Sequence, residues 1–144
     1  MYIREVLNMT TMIAKYLGKL RVECVHAQSG AEVVTDAPLD NGGNGEAFSP
    51  TDLCVTALGA CALTIMGKYG ETHDCDITGA GVHLEKKMGS NPRRIASIDV
   101  VFTFPDKEYT DRQKAGLEKA ARTCPVHHSL HPDVVQRFIF KWVR

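Results

Sequence analysis

The amino-acid sequence predicts an α+β domain in which a mainly antiparallel sheet surrounds one long, buried helix. Three observations carry that expectation. Residues 53–66 contain no charged side chain and are apolar on every side, not along one stripe; a helix of that kind is normally enclosed by other structure. Residues 95–104 alternate Ala96, Ile98, Val100, Phe102 and Phe104 with Ser97, Asp99 and Thr103, the period of a strand with one buried face. The local patterns run in the order ββα ββ αβ, with no repeat and no linker-like stretch, which suits an α+β layer better than an alternating parallel sheet.

The elements follow in order. Residues 1–15 are set aside as an N-terminal extension. Residues 17–26 place Leu20, Val22 and Cys24 on one face and Arg21, Glu23 and Val25 on the other, a strand pattern. Gln28-Ser29-Gly30 turns the chain, and residues 31–36 return as a hairpin partner. Residues 37–45 (APLDNGGNG) form a loop too irregular for an element. Ser49 is a favoured N-cap, Pro50 a favoured first helical residue, and Asp52 suits the positive end of the helix dipole; the helix is expected over 51–68. Residues 75–88 and 95–104 read as strands joined by a turn at Asn91-Pro92. Thr110-x-x-Gln113 is a capping box for a helix through Arg122, with Leu117 and Ala121 inward. Pro125 disfavours the helical conformation at Cys124 and ends that helix. The last strand covers 134–143, with Val134, Phe138, Phe140 and Trp142 on one side.

Composition bounds the function. A chain of 144 residues forms one domain, here spanning 1–144, and buries roughly 70 % of its unfolded surface, so neither a disulfide nor a metal is needed for folding. With 17 Lys+Arg against 17 Asp+Glu, a nucleic-acid surface or a polybasic membrane patch has no compositional support. No apolar run approaches the ~20 residues of a membrane span, and the start of the chain lacks a signal-peptide core. Five cysteines at positions 24, 54, 61, 75 and 124 form no CxxC pair, which predicts a cytoplasmic protein with largely reduced thiols.

Two of those cysteines could carry chemistry. Cys61 lies too far along the helix for its dipole to act, so it is either a packing thiol or a reactive one served by a cation from another element. Arg21 is a candidate cation, or else a solvent-facing partner of Glu23. Cys124 precedes Pro125, which can start a new short helix whose N–H groups would stabilise a thiolate; His127 and His128 could assist. The alternative is a chain-turning Cys-Pro with surface histidines. On local physics alone, Cys124 is the more activated thiol. Cys24, Cys54 and Cys75 read as packing. Zinc on Cys124, His127 or His128, and His131 lacks a second close ligand pair, so no metal and no other cofactor is expected. Gly42-Gly43-Asn44-Gly45 has no following Lys-Ser/Thr and is not a phosphate loop.

Ser49-Pro50-Thr51-Asp52-Leu53, then Ala57-Leu58-Gly59-Ala60-Cys61, and later Cys124-Pro125-Val126-His127 stand in that order, the two cysteines 63 positions apart. With Tyr16-Leu17-Gly18 and Thr35-Asp36-Ala37-Pro38, they resemble the OsmC/Ohr family of thiol-dependent peroxidases over residues 16–143. The resemblance implies an intertwined homodimer with active sites at the subunit interface and no metal, haem or flavin. It implies Cys61 as the peroxidatic thiol, Cys124 as the resolving thiol and Arg21 as the cation that stabilises the Cys61 thiolate. The substrate would be a small organic hydroperoxide or hydrogen peroxide, and an external dithiol would close the cycle.

One position departs from the pattern. The organic hydroperoxide resistance branch carries a Glu ten residues before the reactive Cys, paired with the Arg; this chain has Thr51 there. Asp52 points about 100° away around the helix, while Glu46, in the preceding loop, could reach Arg21 instead. Two other functions compete with a peroxidase: a non-catalytic dimeric protein that binds a small apolar ligand, and a thiol-based redox sensor.

Overall fold

The computed structural model describes residues 10–143. They form two compact units that divide between Leu53 and Cys54.

The first unit is a three-stranded antiparallel sheet of β1 (Met12–Gly18), β2 (Arg21–His26) and β3 (Glu32–Asp36), in that order. The strand expected over 17–26 is therefore two strands. Gly18, Lys19 and Leu20 take φ of 88°, 53° and 63°, left-handed values that reverse the chain. Leu17 lies within β1, which ends at Gly18, and Leu20 sits in the turn, its N–H donating to the Tyr16 hydroxyl at 3.2 Å. The residues set aside as an extension supply most of β1. No alternation marks it because nearly all of its residues are exposed.

After β3 the loop makes one 3₁₀ turn, Leu39–Asn41, and folds back on itself. A Cβ at Gly43 would fall 1.8 Å from the Ala37 carbonyl oxygen, so only glycine fits. Asp36 is fully buried and fastens the far end of the loop. Its N–H donates to Phe48 O at 3.0 Å, and its Oδ2 accepts the Glu46 N–H at 3.0 Å.

The long helix α1 (Pro50–Thr72) opens on a reciprocal cap. Ser49 Oγ accepts the Asp52 N–H at 3.1 Å, and Asp52 Oδ2 accepts the Ser49 N–H at 2.9 Å. The helix runs past the expected end at Lys68 and stops where the Gly70 carbonyl accepts from His73 and Cys75.

The strand expected from Cys75 begins only at Gly81. Residues 76–80 are a turn in which Asp76 Oδ1 accepts the Thr78 N–H at 2.9 Å and hydroxyl at 2.6 Å. Those bonds, the hydroxyl first, hold the Asp76 carboxyl down to about 2. Strands β4 (Gly81–Gly89) and β5 (Arg94–Thr103) pair antiparallel, with an irregularity at Lys87/Met88. Helices α2 (Asp111–Ala121) and α3 (Pro125–Ser129) then cross over to β6 (Val135–Lys141), which pairs parallel to β5. Parallel pairing needs such a crossover connection. The Thr110/Gln113 capping box is present on α2.

The core of this second unit joins Val55, Leu58, Ala62 and Met66 of α1 to Ile98, Val100 and Phe102 of β5 and to Leu117 and Ala121 of α2. Helix and sheet approach closely at Gly59, where a Cβ would lie 2.7 Å from Leu84 Cδ1. Within the single chain one side of the central helix is left open. Ala57, Ala60, Thr64 and Lys68 form an exposed stripe opposite the buried face. By length and composition α1 is also long and apolar enough to cross a membrane. Counting uninterrupted apolar runs hid this, because Gly, Thr and one Lys punctuate the helix; its buried residues pack in the core described above.

Candidate functional site: two thiols and an arginine–carboxylate pair

In the first unit, Arg21 opens β2 opposite Asp36 of β3. Its Nη1–H donates to Glu46 Oε2 at 3.0 Å. The partner of Arg21 is thus the loop carboxylate, and not Glu23 two residues along its own strand. Asp36, by accepting the Glu46 backbone N–H, sets where that carboxylate starts. Thr51 is part of the α1 start, its hydroxyl 3.2 Å from Ser49 Oγ.

In the second unit, Cys61 lies half-buried on α1, at the border between the buried face and the exposed stripe, and packs against the core. Cys124 is fully buried and caps α3, its Sγ accepting the His127 N–H at 3.2 Å. The two cysteines are neighbours, and both are free thiols. Burial pushes the Cys124 thiol up from its ordinary value of 9.0. The His127 N–H pulls it down, and Cys61 pushes it further up through a hydrogen bond and through its charge. Here the local expectation is overturned. The predicted N–H donor is in place, but desolvation outweighs it, and Cys124 is a protonated thiol at neutral pH rather than an activated one.

The remaining candidates are dispersed. Cys75 is buried in the core, whereas Cys24 and Cys54 are only half-buried. Among the described residues no group of three or more His, Cys, Asp or Glu is arranged to hold a metal. His131 Nδ1 accepts the Asp133 N–H at 3.0 Å, and His127 Nδ1 meets Gln136 Oε1 at 2.6 Å. Gln136 was not visible as a site residue; its place on the last strand announces a half-buried position and nothing about its partner. An open groove of about 850 Å³, lined among others by Leu63, Thr64, Lys68, Glu71, Cys75 and Ile77, runs beside the second half of α1 and includes neither Cys61 nor Cys124.

An α+β fold with a central helix, a half-buried helical thiol and a second thiol capping a short Cys-Pro helix together define a class of small thiol proteins. Comparison with known proteins identifies the family. Residues 43–137 match the family model described as OsmC-like protein, and the chain belongs to that family. It is similar to the crystal structure of a candidate osmotic-stress-induced and detoxification-response protein from Psychrobacter arcticus, at 42 % identity and a TM-score of 0.88 over 93 % of this chain and 97 % of that one. It shares its fold with the organic hydroperoxide resistance protein OsmC of Legionella pneumophila (15 % identity, TM-score 0.75, 94 % and 98 % covered). The same holds for the organic hydroperoxide resistance protein OhrB of Bacillus subtilis (15 %, 0.67, 94 % and 99 %). No curated protein sequence matches the chain.

Proposed function

We propose that this OsmC-like protein is a thiol-dependent peroxidase acting on organic hydroperoxides or hydrogen peroxide. The observation that carries this reading is the neighbourhood of two free thiols from α1 and α3. The Cys61 thiolate attacks the terminal peroxide oxygen; the O–O bond breaks, the departing oxygen takes a proton from solvent and leaves as alcohol or water, and Cys61 becomes a sulfenic acid. Cys124 then attacks that sulfur. The S–S bond forms, the S–O bond breaks, and the thiol proton leaves with hydroxide as water. An external dithiol reduces the disulfide by exchange, in a cytoplasmic setting where such reductants act. The Arg21–Glu46 pair is assigned to stabilising the Cys61 thiolate, with the loop carboxylate standing in for the helix Glu that Thr51 replaces.

A homodimer belongs to the same proposal. Met12, Ile13, Tyr16 and Leu17 of β1 are 69 %, 57 %, 62 % and 52 % exposed, and α1 separately leaves Ala57, Ala60 and Thr64 open; exposed apolar side chains close together on one strand support this reading.

Mixing the reduced protein with cumene hydroperoxide should consume peroxide, and mass spectrometry should find two hydrogens lost across Cys61 and Cys124. Cys61→Ser should abolish both; full turnover by that variant overturns the assignment. The groove beside α1 favours a second reading, non-catalytic binding of a small ligand. Native mass spectrometry would then show a retained ligand, and both thiols would resist peroxide.

A further inference from the structure

Beside the thiol pair, Gln136 of β6 grips His127 of α3 at two points. The His127 carbonyl oxygen can only accept, and Gln136 Nε2–H donates to it at 3.2 Å. The amide NH₂ therefore faces that carbonyl, and Oε1 faces His127 Nδ1, 2.6 Å away. An amide oxygen calls for a donor, so Nδ1 carries the hydrogen, and in the neutral ring Nε2 is left unprotonated. The same residue's backbone N–H donates to Cys124 Sγ at 3.2 Å. The imidazole is further flanked by Phe138 and His128, ring centroids 5.3 and 5.1 Å away. Helix α3 is a single turn of five residues, too short to hold its own geometry without tertiary contacts.

We propose that Gln136 is a positioning residue for Cys124: by holding His127 at ring and carbonyl, as the Nδ1–H tautomer, it keeps the residue-127 N–H aimed at the Cys124 sulfur. The consequence is chemical. When Cys124 gives up its proton to attack the Cys61 sulfenic acid, charge gathers on Sγ in a desolvated place. A donor already in position stabilises that charge without reorganisation. The use made of Cys124 rests on the peroxidase reading; the grip itself does not.

Two measurements on Gln136→Leu and Gln136→Glu test this. Long-range proton–nitrogen spectra of the full chain should show His127 as the Nδ1–H tautomer. The signature should persist in Gln136→Glu, which keeps an acceptor for the ring, and vanish in Gln136→Leu. With Cys61 replaced by Ser, the midpoint pH for Cys124 alkylation by iodoacetamide should rise by about one unit in Gln136→Leu, equivalent to a tenfold loss of thiolate. With Cys61 restored, the disulfide-forming phase should slow about tenfold in Gln136→Leu. An Nε2–H tautomer in the parent protein, or an unmoved Cys124 midpoint in folded Gln136→Leu, overturns the proposal. Should Gln136→Leu not fold, the tautomer of the parent protein decides it. A protein that shows the tautomer and the shift yet leaves peroxide untouched overturns the peroxidase reading alone.

Discussion

Cys124 is subject to opposing influences at one sulfur atom, an N–H donor against full burial and a neighbouring thiol, with burial the largest. A protonated resolving thiol is useful in the proposed cycle. It leaves the first reaction to Cys61 and brings along the proton that departs as water. Replacing Cys124 by Ser should leave Cys61 as a sulfenic acid that dimedone traps, with no intramolecular disulfide by mass spectrometry. If Arg21 serves the peroxidatic thiol as proposed, Arg21→Met should slow the reaction with peroxide by about tenfold or more, the loss expected when a cation that favours a thiolate is removed. Glu46→Gln should have a smaller effect of the same kind on the rate. As a stability element, the Arg21–Glu46 pair, with side chains 34 % and 61 % exposed, is worth no more than ~1 kcal/mol. An unchanged rate with peroxide in folded Arg21→Met would remove Arg21 from the proposed mechanism.

Among the elements, those whose signals are local were legible. The α1 start rests on Ser49 and Asp52 three residues apart, and the α2 start on Thr110 and Gln113 at the same spacing. Thr110→Ala should therefore lower stability by about 1 kcal/mol in a urea titration. Strand β5 declared itself because one face is buried along its length. Strand β1 did not, since its exposed residues select no alternation, and the parallel pairing of β6 depends on where the α2–α3 crossover returns the chain. The close approach of α1 to β4 at Gly59 was equally silent, because a glycine in an apolar helix looks like any small residue. Gly59→Val would drive its side chain into Leu84 and Val82 and should cost about 1–3 kcal/mol, read as a lowered urea midpoint with unchanged slope.

Over the whole molecule, the buried acids share one direction. Burial raises the Cys124 and Cys75 thiols above their ordinary 9.0 and the Tyr109 hydroxyl above 10.0. Above pH 9 the unfolded chain releases these protons while the folded protein keeps them. The folded state then binds more protons, and stability must fall as pH rises. The expected result is a stability still level near about pH 8 and a decline that begins near pH 9, steeper than in Cys124→Ala. A melting temperature that holds from pH 8 to pH 10.5 would contradict it. Asp76 acts at the other end. Its carboxyl, held down to about 2, adds a contribution that is present above its unfolded value of 3.8 and is lost as pH falls toward 2.

The sequence by itself determined the α+β class, the caps, the alternating central strand and the order of motifs around Cys61 and Cys124. These depend on residues within a few positions of one another, and their spacing is written in the chain. Only the tertiary structure decided that Arg21 meets Glu46, 25 positions away, rather than Glu23. It also decided that Cys124 is buried beside Cys61 and held from β6 through His127 and Gln136. The ionisation of a thiol and the partner of a guanidinium are sums over whatever atoms folding brings near. Desolvation at Cys124 reversed what its immediate neighbours in sequence had implied.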